Sequence, residues 1–177
     1  MLLSETRISG AWILDVERIR DERGFFARTW CRDELAREGL RAELAQCSVS
    51  YNARRGTLRG MHFQVAPRME TKIVSCLQGS IYDVLLDLRR DSPTYCQWLA
   101  IELTQESLRA VYIPEGVAHG FQTLTDDALV SYQISDMYSP GHASGVRWDD
   151  PAFAIEWPET PERILSPRDR AYPGYAP

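Results

Sequence analysis

Gly56-Thr57-Leu58-Arg59-Gly60-Met61-His62-Phe63-Gln64 gathers one of the chain's three histidines, an arginine, two glycines and a glutamine. The segment before it, Gln46 to Tyr51, reads as a strand, and the turn Ala53-Arg54-Arg55-Gly56 leads back into a second. If Thr57–Gln64 is that strand, alternation puts His62 and Gln64 on one face and Met61 and Phe63 on the other. A histidine aimed into the mouth of a β-barrel suits proton transfer or metal ligation. A histidine merely hydrogen-bonded in a half-buried strand is the bland alternative, and this stretch alone leaves the two open. Strict alternation also separates Arg59 from His62, so a ligand touching both needs a bulge or kink at Gly60.

Working outward, strand-like runs recur at short intervals: Leu44–Tyr51, Thr57–Gln64, Lys72–Leu77, Ser80–Leu88, Gln97–Leu103, Arg109–Ile113, His119–Leu124 and Leu129–Ile134. Turn chemistry separates them at Gln78-Gly79, Arg90-Asp91-Ser92-Pro93, Pro114-Glu115-Gly116 and Thr125-Asp126-Asp127. Before them, Ile8–Val16 reads as an opening strand, Asp21–Gly24 as a turn and Phe25–Trp30 as an aromatic strand. Asp33–Glu38, followed by Gly39 at the C′ position, is the one helical piece of the first half. From Ser139 onward prolines multiply, so an irregular tail holding Asp149, Asp150 and Asp169 must wrap the strands. The expectation is all-β: a sandwich, jelly roll or small barrel forming one domain over residues 1–177.

The bulk numbers are those of an ordinary globular chain, with 44% hydrophobic and 25% charged residues in a length of 177. A formal net charge of −5 without any Lys/Arg-rich block argues against a nucleic-acid partner. No stretch approaches transmembrane length, and the N-terminus lacks a basic segment followed by an apolar run. Cys31, Cys47, Cys76 and Cys96 stand far apart with no C-x-x-C spacing, which does not fit a zinc site or a compact disulfide framework; Cys47 and Cys76, among strand-like residues, read as small buried hydrophobes. A cytoplasmic, reducing compartment is expected, with no membrane partner.

A second histidine lies in Ile113-Pro114-Glu115-Gly116-Val117-Ala118-His119-Gly120-Phe121. This P-x-G-x-x-H pattern resembles the second half of a cupin signature, whose first half normally supplies H-x-H and a following glutamate. Here the first half reads His62-Phe63-Gln64, with Glu70 beyond it. A metal set of His62, Gln64, Glu70 and His119 is thereby available, weakened because a neutral glutamine poorly replaces imidazole. His142, in a Ser-Pro-Gly turn, reads as solvated surface.

Leu58 to Gln64 also resembles the heart of the dTDP-4-dehydrorhamnose 3,5-epimerase family. Further segments fall in that family's order: Arg23-Gly24-Phe25-Phe26, Lys72-Ile73-Val74, Gly79 to Val84, Asp87-Leu88-Arg89, Ile113 to Phe121, Tyr132 to Tyr138, Trp148-Asp149-Asp150-Pro151 and Leu165-Ser166-Pro167-Arg168-Asp169. The likeness runs from about Arg23 to Asp169. It implies a cupin-type jelly-roll barrel, a homodimer, no metal and no cofactor, and a nucleotide-linked 4-keto-6-deoxyhexose as substrate.

The chemistry explains why such residues are needed. A C4 ketone acidifies the hydrogens at C3 and C5, but a base on one face, an acid on the other and a donor at the enolate oxygen must help. By resemblance His62 is the base, Asp169 steadies its imidazolium, Tyr132 returns a proton and Lys72 holds the C4 oxygen. Substrate binding falls to Arg23, Gln46, Ser48, Arg59, His119, Tyr138 and Arg168. Without the resemblance, Lys72 would be a solvated edge charge, Tyr132 a core aromatic and the arginines surface ion-pair partners. Departures cluster at the nucleotide end: Arg28 and Ala143 replace glutamates, Ser48 an asparagine and Arg168 a lysine. A C3- or C5-specific epimerase, a metal-dependent cupin and a non-catalytic sugar-binding jelly roll are the alternative readings.

Overall fold

Period-two alternation and turn residues build two facing antiparallel sheets in the computed structural model, which describes residues 1–176. The strands are β1 (Leu2–Glu5), β2 (Trp12–Asp15), β3 (Arg18–Asp21), β4 (Gly24–Ala27), β5 (Gln46–Asn52), β6 (Leu58–Gln64), β7 (Lys72–Gln78), β8 (Ser80–Asp87), β9 (Trp98–Thr104), β10 (Ala110–Ile113), β11 (Val117–Thr123), β12 (Ala128–Ile134) and β13 (Ala143–Gly145). Two short helices, α1 (Arg32–Arg37) and α2 (Pro167–Arg170), complete the described elements. One sheet runs β1-β2-β10-β7-β12-β5, the other β13-β6-β11-β8-β9, and β3-β4 form a separate hairpin. From β5 to β12 the chain crosses repeatedly between the sheets, which makes the sandwich a cupin-type jelly roll.

Val74, Cys76, Ile81, Leu85, Val111, Ile113, Val117 and Phe121 fill the space between the sheets. On the outer face of the six-stranded sheet, Leu35 of α1 packs with Leu14, Ile73 and Tyr112. On the outer face of the other sheet, Met61, Val84, Leu86 and Ala118 lie under Val146, Phe153, Trp157 and Tyr175 of the tail. The tail is therefore a cover for an apolar face. Truncating a fully buried residue such as Leu85 to alanine is expected to cost about 2–5 kcal/mol.

Three expectations change. Of Ile8–Val16 only Trp12–Asp15 is strand: Ile8–Ala11 is the turn that joins β1 to β2, closed by the Ala11 N–H to the Ile8 carbonyl at 3.0 Å, and Ile8 reaches the core from it. The aromatic run stops at Ala27, because Gly24–Ala27 pairs only with Arg18–Asp21. Most consequentially, β5 and β6 do not pair with each other. β5 pairs with β12 while β6 pairs with β11 and β13, so the Ala53–Gly56 turn carries the chain from one sheet to the other. No described helix is long and apolar enough to cross a membrane.

Candidate active site

A cavity of about 640 Å³ opens between the sheets. Gln46 and Ser48 of β5, Arg59, His62 and Gln64 of β6, Lys72 of β7, His119 of β11 and Tyr132 of β12 line it, joined by Tyr138, Arg168 and Asp169. That size and mixed lining suit a ligand larger than a single sugar ring. Ten of the eleven residues singled out as catalytic or substrate-binding meet here. Arg23 does not: it sits on the β3–β4 turn, its side chain 85% exposed and paired with Asp21 at 2.6 Å.

His62 and Arg59 share the cavity because β6 bulges between them. In the ladder His119 faces His62 while Phe121 faces Arg59, so three steps along β6 match two along β11. Gly60 sits at the shift with φ +149°, and a Cβ there would come within 2.6 Å of the Gly120 Cα. Only glycine fits a backbone contact that close. Beyond the bulge the expected alternation holds, with Met61 buried in the outer cluster and Phe63 packed against it.

The irregular tail reaches His62 in three steps. Ile164 pairs in parallel with Thr57, its N–H donating to the Gly56 carbonyl at 2.9 Å. Ser166 then caps α2 by accepting the Asp169 N–H at 3.1 Å. Asp169, buried, faces His62, whose Nε2–H donates to Oδ1 at 2.7 Å. Burial pushes the Asp169 carboxyl up, but the His62 hydrogen bond and charge, with help from Ser166 and the Gly60 N–H, hold it below its ordinary value.

The opposite sheet supplies Tyr132 and Lys72. Tyr132 shares a hydrogen bond with Ser50 Oγ at 3.3 Å, and its phenol is pushed up to about 12, chiefly by burial and against the Ser50 contact. It therefore stays protonated at neutral pH and can donate. Lys72, the only lysine in the chain, is buried on an interior strand, not an edge. Its ammonium pairs with Glu70 at 3.0 Å and donates to the His62 carbonyl at 3.3 Å. Arg59 is braced by Asn52, its Nε donating to Oδ1 at 2.8 Å.

The metal reading loses its donors to one another. Gln64 donates to Glu70 at 3.0 Å and to the Arg68 carbonyl at 2.9 Å, and its own oxygen accepts the Ser139 N–H at 2.7 Å. Among the described residues, no group of three or more His, Cys, Asp or Glu is placed to hold a metal ion. His142 is half-buried, its Nδ1 sharing a hydrogen bond with Ser139 Oγ at 2.8 Å, so it stiffens its turn instead of standing in solvent.

Sequence reading passed over Asp83, which accepts a hydrogen bond from His119 Nε2–H at 2.7 Å and makes a second His–Asp pair. A signal for it existed: Asp83 shares a strand face with the core residues Ile81 and Leu85, so a carboxylate faced an apolar interior. Asn52 and Ser50, which brace Arg59 and Tyr132, gave no comparable sign.

Comparison with known proteins agrees with this geometry. The family profile described as dTDP-4-dehydrorhamnose 3,5-epimerase matches residues 5–176. A dTDP-4-dehydrorhamnose 3,5-epimerase from Sinorhizobium fredii is 39% identical over 180 residues, covering 97% of this chain and 90% of that one. A dTDP-4-dehydrorhamnose 3-epimerase from Streptomyces niveus is 40% identical over 171 residues, covering 96% and 82%. The crystal structure of the 3,5-epimerase from Bacillus anthracis with TDP and PPi bound superposes with a TM-score of 0.94 at 41% identity, covering 98% of this chain and 99% of that one. The chain belongs to the dTDP-4-dehydrorhamnose 3,5-epimerase family.

Proposed function

We propose that this protein inverts C3 and C5 of a nucleotide-linked 4-keto-6-deoxyhexose, converting dTDP-4-dehydro-6-deoxy-D-glucose to dTDP-4-dehydro-L-rhamnose. One observation carries the reading: a base and an acid project into one cavity from opposite sheets, His62 from β6 and Tyr132 from β12. Inversion at carbon needs a proton removed from one face and returned to the other.

With Nε2 committed to Asp169, Nδ1 of His62 is the nitrogen left to take the carbon-bound proton. The electron pair moves into the C4 carbonyl, and the enolate oxygen is met by the Lys72 ammonium. Asp169 stabilises the imidazolium formed. Tyr132 donates its phenolic proton to the opposite face of the carbon, and the His62 proton passes to solvent while the phenolate is reprotonated. Repeating the cycle at the second carbon gives the double epimer. Arg59 and Arg168 suit the diphosphate oxygens, Tyr138 the base, and Gln46, Ser48 and His119 the sugar hydroxyls. The whole chain works as one domain without cofactor or metal.

The active form is a homodimer in a reducing, cytoplasmic setting. β5 leaves a free edge on the six-stranded sheet, with Val49 and Tyr51 exposed, and the β3–β4 hairpin exposes Ile19, Phe25 and Phe26. A second copy covering such surfaces is also the route by which an Arg23 could reach a substrate. Sedimentation showing only monomer at micromolar concentration would remove this part of the reading. All four cysteines are free; Cys76 is buried as expected, whereas Cys47 is exposed on β5.

The deciding experiment incubates the protein with dTDP-4-keto-6-deoxyglucose in D2O and maps deuterium by NMR. Incorporation at both C3 and C5 is expected. Incorporation at one carbon alone marks a single-position epimerase, and none at either carbon sinks the assignment.

A further inference from the structure

The residues that follow Asp169 pin the tail to the barrel through two tyrosines. Tyr175 is the distal anchor. Its N–H donates to Asp150 Oδ2 at 2.6 Å, its hydroxyl shares a hydrogen bond with Tyr95 at 2.6 Å, and its ring centroid lies 4.8 Å from that of Phe153. Between this anchor and Asp169 stands Tyr172, which touches the site in two ways.

The ring lies beside the base. Its centroid is 6.1 Å from that of His62, with the planes inclined at 59°. It rests on Gly145, which is the residue paired with His62 in the β13–β6 ladder. A Cβ at position 145 would come within 2.4 Å of Tyr172 Cζ, so a bare backbone is what lets the ring sit there. The hydroxyl meets one of the cavity's cations: Arg168 Nε–H donates to it at 3.0 Å. The other guanidinium nitrogens have only long contacts, Nη1 to the Tyr138 hydroxyl and Nη2 to the Ala143 carbonyl, each at 3.4 Å. With Nε tethered, the fork retains Nη hydrogens for an anion in the cavity that Arg168 lines.

We propose that Tyr172 is a positioning residue with two separable actions: its hydroxyl aims Arg168 at the substrate diphosphate, and its ring holds the His62 imidazole in register with Asp169. The proposal rests on the nucleotide-sugar reading above. It gives the guanidinium at position 168 a partner suited to its geometry, since a planar Nε–H can be held while the Nη edge binds.

Two variants divide the actions. Thymidine diphosphate affinity is measured by calorimetry, and kcat and KM by epimerisation. Tyr172→Phe keeps the ring and should weaken thymidine diphosphate and raise KM by roughly 3- to 10-fold. Tyr172→Ala should show the same loss of affinity together with a kcat lowered by about 10- to 100-fold. Phenylalanine thus restores turnover without restoring affinity, a split that mere packing does not produce. Wild-type affinity in Tyr172→Phe overturns the hydroxyl's action, and equal kcat in the two variants overturns the ring's. A wild-type protein that binds no thymidine diphosphate and exchanges no deuterium refutes the substrate reading, and the action on Arg168 with it.

Discussion

The two His–Asp pairs share one contact and differ in everything around it. In each, Nε2 of the histidine meets a carboxylate oxygen at 2.7 Å. In the first, the His62 side chain is 39% exposed over an Asp169 that is 5% exposed. In the second, His119 is 5% exposed and Asp83 not at all. Asp169 arrives on a tail and is held by Ser166, whereas Asp83 projects from the middle of β8, its Oδ1 without a hydrogen-bond partner among the described residues. A base must take a carbon-bound proton and release it to water: the open pair is placed to do both, whereas the closed pair borders the cavity but is shut off from water. The closed pair instead sits beside the acid, with the His119 ring edge-on to Tyr132 at 6.2 Å between centroids. A hydrogen-bond distance alone therefore does not distinguish a catalytic dyad from a supporting one; accessibility does.

The harshest way to break the comparison is to remove the open histidine. His62→Ala should lower deuterium exchange at both carbons by roughly 10³- to 10⁴-fold. Near-wild-type exchange would mean that His119 or another group is the base. Asp169→Asn should cost somewhat less, about 10²- to 10³-fold in kcat, because the imidazole remains but loses its counter-charge. The same substitution has a pH signature. The hydrogen bond and charge of His62 hold the folded Asp169 carboxyl below the ordinary carboxylate value. A depressed carboxylate contributes stability above its unfolded pKa and loses it as pH falls through the folded one. The melting-temperature gap between wild type and Asp169→Asn should be full near pH 7 and shrink below about pH 4. A gap independent of pH would show that charge is not what Asp169 contributes to stability.

Much of this site was legible in the chain, for identifiable reasons. The strands were legible because short runs rich in aliphatic, β-branched and aromatic residues recur between turn residues. The bulge was legible from one conflict, Arg59 and His62 on opposite faces of a regular strand, with a glycine between them to resolve it. What local pattern does not encode is which sheet a strand joins, so Gln46–Asn52 and Leu58–Gln64 read as hairpin partners and are not. Nor does it encode where an irregular tail runs. Asp169 was placed by family likeness: the Ser166 cap that holds it is local, but the pairing of Ile164 with Thr57 and the contact with His62 join residues more than 100 apart in sequence. Tyr172 gave no sign for the same reason. Arg23 marks a third limit: an isolated chain leaves it on an exposed turn, whatever an assembly does with it.

Removing the acid sharpens the contrast between faces. Tyr132→Phe should lower net epimerisation by about 100-fold while His62 still removes and returns protons on its own side. Deuterium should then enter the unreacted starting epimer faster than product forms. Loss of exchange in step with epimerisation would mean that Tyr132 is needed for deprotonation as well.

The smallest change in rate should come from the closed pair, and there the effect moves to stability. Asp83→Ala leaves His119 buried without its partner, and breaking a buried pair in this way costs about 3–5 kcal/mol. Turnover of the folded fraction should fall only about tenfold, through displaced support for Tyr132. Asp83→Asn still offers an oxygen to His119 Nε2–H, so urea unfolding should recover most of the lost stability. The open pair should behave in reverse: replacing Asp169 with alanine should cost more rate and less stability, because His62 already faces the cavity and water. If Asp83→Asn stopped exchange as completely as His62→Ala while unfolding at the wild-type urea concentration, accessibility would not be what divides the pairs. Both would then be part of the proton path, and the buried Oδ1 of Asp83 would be the place to look for the second proton.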